Sequence, residues 1–228
     1  MFVFGDHASR YIPPDYDNLG LVGDDLTRHI AWDIGTETVI RHLCKAFGCG
    51  GHLAGVSRLL IDFNRSPLAP GLIPEISDGT VVPKNQNLEQ AERQARIDQF
   101  YTPYHAELSR RIQGLHDPLI VSIHSFTPKL KTSKVNRELD VGLLVKHDFD
   151  RLYDYKSALE RLHPELRVRI NEPYSAYELN HTVDEHLGNK GLKHINIEIN
   201  QALCDTVANT LVIASKLEDA LNTLSERQ

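Results

Sequence analysis

A chain of 228 residues with 41% hydrophobic and 25% charged side chains can bury a full core, so it needs neither a disulfide framework nor a structural metal to fold. A net charge of -6 argues against a nucleic-acid partner. The three cysteines, Cys44, Cys49 and Cys204, lack the paired spacing of a zinc ribbon and suit a reducing compartment.

The amino-terminal stretch MFVFGDHASR has neither the basic region nor the apolar run of a signal peptide. No run of about 18 apolar residues is present to span a membrane. A cytoplasmic protein without a membrane partner is therefore expected, with residues 1–228 as one domain. Residues 2–5 (FVFG) predict a short strand that stops at a Gly-Asp turn, leaving Asp6 and His7 just past its end. After a proline-rich loop, Asp24 or Asp25 is expected to cap a long helix running to about Phe47, with Gly48 ending it. The stretch HLAGVSRLLIDFN (52–64) has strand-like apolar runs around a polar break. Residues 66–86 show little periodicity and predict a long surface excursion. Helical spacing from Leu88 to Ile112 is interrupted at Pro103, which should kink or split the helix.

LIVSIHSF (119–126) is the densest β-branched run and the strongest strand. DVGLLV (140–145), RVRIN (167–171) and HINIEIN (194–200) predict three more, with helices over about 149–162, 175–187 and 203–226. Strands alternating with helices indicate an α/β fold, a three-layer sandwich on a mixed, largely parallel sheet.

Ligands of such sheets bind beyond the carboxyl ends of the strands. His7 and His124 stand at two of those ends, and two imidazoles with one carboxylate make an open zinc site. The acid is either Asp33, costly on an apolar helix face unless it has a partner, or Asp25, whose bland reading is a helix cap. Glu198 shares a strand face with Asn196 and Asn200, which makes it either a solvated edge residue or a general base. Arg58 and Arg65 have opposite parity on a common strand. One suits an oxyanion and the other a substrate carboxylate, unless both form surface salt bridges. His181 and His186 are adequately explained by a solvated helix face. No G-x-S-x-G elbow, glycine-rich phosphate loop or H-E-x-x-H motif is present.

The blocks GDHASRYIPP, DLTRHIAWDIG, VSRLLIDFNR, IPEISDGT, AERQARIDQFYTPYHAEL, IVSIHSFTP, NEPYS and HINIEIN resemble, in this order, the N-formylglutamate amidohydrolase family. The resemblance runs from residue 3 to about residue 205. It implies a fold of the zinc-carboxypeptidase, phosphorylase/hydrolase-like kind. The implied activity is metal-assisted hydrolysis of the amide in a small N-acylated acidic amino acid. By the same resemblance His7, Asp33 and His124 are the ligands of one divalent metal, zinc, and Glu198 is the general base. Arg58 meets the carbonyl, Asn64 and Arg65 the carboxylate, and Asn171 and Tyr174 line the pocket. Two competing expectations are a non-catalytic module that binds an acidic metabolite and a hydrolase of a larger peptide or cell-wall amide. The oligomeric state is left open.

Overall fold

The computed structural model describes residues 1–146 and 149–225. Its elements in chain order are β1 (Phe2–Gly5), α1 (Thr36–Ala46), β2 (Gly50–Leu53), β3 (Ile76–Ser77), β4 (Thr80–Val81), α2 (Gln90–Arg96) and α3 (Thr102–Gln113). There follow β5 (Ile120–Phe126), β6 (Val141–Leu144), α4 (Phe149–Leu162), β7 (Val168–Ile170), α5 (His181–His186), β8 (His194–Asn200) and α6 (Val207–Ser225). Six strands form one sheet in the order β2-β1-β5-β8-β6-β7. All neighbours are parallel except β8 and β6, so β6 and β7 run against the other four. β3 and β4 make a separate antiparallel pair.

Side-chain alternation divides the sheet into two faces. On one, Val121, Ile123, Ile195, Ile197 and Ile199 pack with Ile40 and Leu43 of α1, Leu152 of α4, and Leu217 of α6. On the other, Phe4 and Ile120 pack with Leu59, Leu60 and Leu72 of the long loops and Leu108 and Ile112 of α3. The result is a three-layer α/β sandwich, and each fully buried Leu or Ile in it contributes roughly 1.5–3 kcal/mol. The second face also carries Ser122 and His124 of β5 with Asn196 and Glu198 of β8, since these positions alternate with the first set. Among the described residues no helix is long and apolar enough to cross a membrane.

Several expected elements differ. The helix expected from Asp24 to Phe47 is only α1, preceded by a single 3-10 turn at Gly23–Leu26. The Asp33 amide donates to the His7 carbonyl (2.9 Å), the Thr36 hydroxyl donates to the Asp33 carbonyl (2.7 Å), and Gly35 turns at φ 88°. These bonds hold Asp33 outside any helix. Likewise residues 54–64 form no strand, so Arg58 and Arg65 share none. The Ser57 hydroxyl donates to the Ala31 carbonyl and accepts from the Leu59 amide, and Asp62 Oδ1 accepts from the Asn64 amide. Such side-chain-to-backbone bonds compete with a strand ladder, and Leu59, Leu60 and Ile61 are buried as a loop instead. The 66–86 excursion contains the β3–β4 hairpin and inserts Leu72, Ile73 and Val82 into the core. The helix expected over 175–187 is confined to α5. Glu226, the last residue of the expected final helix, lies outside the described residues.

Gly142 lies opposite Glu198 across the β6–β8 ladder, and a Cβ there would come within 2.1 Å of the Glu172 carbonyl oxygen. That contact is with backbone and has no side chain to yield. Gly142→Ala is expected to destabilise by about 1–3 kcal/mol, which lowers Tm by roughly 2–4 °C per kcal/mol in a domain this size. An unchanged thermal melt would show that the loop after β7 does not press on the strand.

Candidate active site

His124 stands near the carboxyl end of β5, and Glu198 is its register partner on β8. His7 follows β1 by two residues, and the turn before α1 delivers Asp33. All four are buried. Asp33 Oδ2 stands 3.2 Å from His7 Nδ1 and 3.0 Å from His124 Nδ1, so three donor atoms converge on one point. Each imidazole is backed on its far side by another acid. His7 Nε2 is 2.7 Å from Asp62 Oδ1, and His124 Nε2 is 3.5 Å from Asp6 Oδ2. Tyr104 donates its hydroxyl to Asp6 Oδ1 at 2.7 Å. With a cation at the centre, the outer carboxylates would keep each imidazole proton on Nε2 and turn the Nδ1 lone pairs inward.

Arg58 ties the two halves together, donating to Asp33 Oδ1 (3.1 Å) and Asp62 Oδ2 (2.9 Å). The electrostatics reflect this crowding of acids. Burial opposes ionisation of Asp33, yet His7, His124 and Arg58 outweigh it and hold its pKa well below the usual range. Burial likewise opposes protonation of His124, but Asp33, Asp6 and Glu198 push its pKa well up. The centre is a pocket of concentrated negative charge that calls for protons or a cation.

Glu198 differs from the other acids. Its Oε2 finds no hydrogen-bond partner among the described residues. Burial, reinforced by the Asp33 charge, pushes its pKa up to about 7 against the pull of His124, His7 and Arg58. The solvated-edge reading of this residue is thereby corrected: β8 is an inner strand and its Asn196, Glu198 and Asn200 are all buried.

His7, Asp33, His124, Arg58 and Glu198 line a cavity of about 160 Å³ together with Asn64, Arg65 and Tyr174. Ser125 and Leu179 complete the wall. Asn64 Oδ1 accepts from the Thr182 amide (3.0 Å), which leaves the Nδ2 donor free for the cavity. The Arg65 guanidinium has no hydrogen bond or ion pair among the described residues. Tyr174 accepts from Arg137 at its hydroxyl (2.9 Å). Asp25 is elsewhere, paired with Arg28 at 2.6 Å and near Thr80, so geometry brings Asp33 and not Asp25 to the imidazoles.

A family model described as N-formylglutamate amidohydrolase matches residues 1–204. The chain belongs to the N-formylglutamate amidohydrolase family. It is accordingly a hydrolase that acts on an amide. The fold is similar to the crystal structure of a gene product from Agrobacterium tumefaciens, with TM-score 0.87 and 33% identity over 98% of this chain and 91% of that one. It is also similar to that of N-formylglutamate amidohydrolase from Ralstonia eutropha JMP134, with TM-score 0.75, covering 99% of this chain and 93% of that one. At 19% identity the second likeness speaks for the fold alone. Among curated proteins none matches the chain.

Within this amidohydrolase framework one expected pocket residue is displaced. Asn171 does not line the cavity. Its Oδ1 accepts from the Val145 and Ala176 amides and its Nδ2 donates to the Val145 carbonyl, at a left-handed φ of 53°. It shapes the loop that carries Tyr174. His181 and His186 do not form a solvated face either: His186 is buried against His105, and His181 meets Tyr101. Sequence reasoning sets Asp6 at a strand end beside His7 but misses that it backs His124, and it misses Asp62 altogether. Asp62 did carry a signal, a lone acid inside the apolar run LLIDF that demands a buried partner.

Proposed function

We propose that this amidohydrolase cleaves the amide of a small N-acylated acidic amino acid of the N-formylglutamate type, with His7, Asp33 and His124 holding one divalent cation. Two imidazole nitrogens and one carboxylate oxygen suit zinc, and carboxylates behind both imidazoles are what such ligands require. When bound, the cation supplies Lewis acidity, which acidifies water toward a pKa of about 7 and draws electron density from the scissile carbonyl. Glu198 takes the proton of the attacking water as the new C–O bond forms. It returns that proton to the nitrogen as the C–N bond breaks, releasing a carboxylic acid and an amine. Arg58, 27% exposed in the cavity wall while it holds two carboxylates, sets a fixed positive charge against the developing oxyanion. Asn64 Nδ2 and the Arg65 guanidinium, both without hydrogen-bond partners among the described residues, bind the substrate carboxylate.

The observation that carries this reading is one small cavity holding the Glu198 oxygen and the Asn64 and Arg65 donors, all unpaired among the described residues. Its volume of about 160 Å³ favours a small substrate over a peptide or cell-wall strand. The test is amine release from a panel of N-formyl amino acids by metal-loaded protein. Acidic members are expected to be preferred, and Arg65→Ala to raise KM for N-formylglutamate at least about tenfold with kcat little changed. Equal kcat/KM for acidic and neutral members would sink the carboxylate assignment.

A further inference from the structure

A group of polar side chains lies behind the cavity wall and takes no part in the chemistry above. The strip Phe63–Asn64–Arg65 has no secondary structure, yet its backbone is held from three directions. From α3, His105 Nε2 donates to the Phe63 carbonyl at 3.0 Å, and His105 Nδ1 accepts from buried His186 at 2.8 Å. From α5, the Thr182 hydroxyl donates to the same Phe63 carbonyl (3.2 Å) while its amide holds Asn64 Oδ1. The third bond comes from the wide turn ahead of α3. There the Tyr101 hydroxyl donates to the Arg65 carbonyl at 2.9 Å and stands 2.8 Å from His181 Nε2.

The sequence explains why Tyr101 can do this. Pro103 has no amide hydrogen to donate into the preceding turn. The chain answers with a π turn over Ile97–Tyr101, in which the Thr102 amide bonds the Ile97 carbonyl. Such one-residue widenings recur at functional sites because they redirect a side chain without ending the helix. Here the turn sets Tyr101 against Phe63 and His105, with ring centroids 6.4 Å and 4.1 Å away. Its hydroxyl is the last link to the residue that bears the free guanidinium.

We propose that Tyr101 is a positioning residue for substrate binding, its hydroxyl fixing the Arg65 backbone so that the guanidinium meets the substrate carboxylate. This rests on the reading of Arg65 as a carboxylate-binding residue. Tyr101 touches no reacting atom, and it acts on the bound substrate through Arg65 alone. Removing the hydroxyl therefore weakens substrate binding and leaves the chemical step intact.

The experiment is a double-mutant cycle on metal-loaded protein with N-formyl-L-glutamate as the probe. Tyr101→Phe keeps the ring contacts and removes only the hydroxyl. It is expected to raise KM by about threefold to tenfold with kcat within about twofold. In the Arg65→Ala background the same change is expected to alter KM by less than about 1.5-fold, since its mediator is gone. His181→Gln, which disturbs the partner of the Tyr101 hydroxyl, is the second variant. Its expected KM effect is smaller, about twofold, and equally silent without Arg65. An unchanged KM in Tyr101→Phe overturns the proposal. So does a fall in kcat that matches the loss in kcat/KM, or an equal effect of Tyr101→Phe in both backgrounds. If Arg65→Ala alone keeps the wild-type KM, the carboxylate reading fails first and takes the proposal with it. That outcome is distinct from a Tyr101 effect that is absent while the Arg65 effect is present.

Discussion

Replacing Glu198 with Gln is expected to cut kcat by about a hundred- to ten-thousand-fold while KM and metal content stay close to wild type. The amide keeps the volume and one oxygen of the carboxylate but cannot take up a proton. No hydrogen bond to Glu198 Oε2 is lost, because that atom has none among the described residues. The same substitution should raise stability. Burial lifts the Glu198 pKa from 4.5 to about 7, so the folded, metal-free protein holds this proton more tightly than the unfolded chain does. The stability that proton confers is fully present below about pH 4.5 and is lost as pH rises through about 7, where a buried carboxyl is forced to ionise. Glutamine removes that penalty. Metal-free Glu198→Gln is therefore expected to melt several degrees above metal-free wild type at pH 8, the gap closing toward pH 5. Activity and stability then move in opposite directions at one residue, as they do where a strained charge serves chemistry. Near-normal turnover of the metal-loaded variant would remove Glu198 from the role of base.

The inner strands were legible because burial on both faces writes itself as β-branched runs. IVSIHSF and HINIEIN are such runs, and they carry His124 and Glu198 in register. Loops that are buried by side-chain bonds were not legible. Leu59, Leu60 and Ile61 look like a strand because they are apolar, but Ser57 and Asp62 turn the backbone at either end of them. The segment from Asp24 to Gly35 has helical periodicity, and a long-range bond from the Asp33 amide to His7 overrides it. The family resemblance of NEPYS puts Asn171 in the pocket, whereas its amide is consumed by the backbone of residues 145 and 176. The roles of Asp6 and Asp62 are hidden for a related reason. Their function is to face the far side of an imidazole, a relation between residues up to 118 positions apart that no local pattern encodes (Asp6 to His124, Asp62 to His7).

Asp33→Ala should abolish metal retention, while Asp25→Ala should leave it as in wild type. Asp33 alone spans the centre: one oxygen faces both Nδ1 atoms and the other accepts from Arg58. Alanine removes the anionic donor and also leaves the Arg58 charge half-paired beside a would-be cation, so two effects of the same sign add. The cost of breaking a buried charge pair, about 3–5 kcal/mol, corresponds to a loss of affinity of at least about a hundredfold. Asp25 lies 30% exposed against Arg28 and contributes nothing to the centre. Asp62→Asn falls between them. It keeps the shape but weakens the hold on His7 Nε2, for which about a tenfold to hundredfold loss of affinity is expected. Zinc titration against a chelator, read by elemental analysis after dialysis, ranks the three. If Asp33→Ala holds zinc as tightly as Asp62→Asn, the acid at the centre is a counter-charge for two protonated imidazoles and not a ligand. The reason is that a ligand loses its bond outright, whereas a counter-charge merely shifts the protons that compete for the same lone pairs.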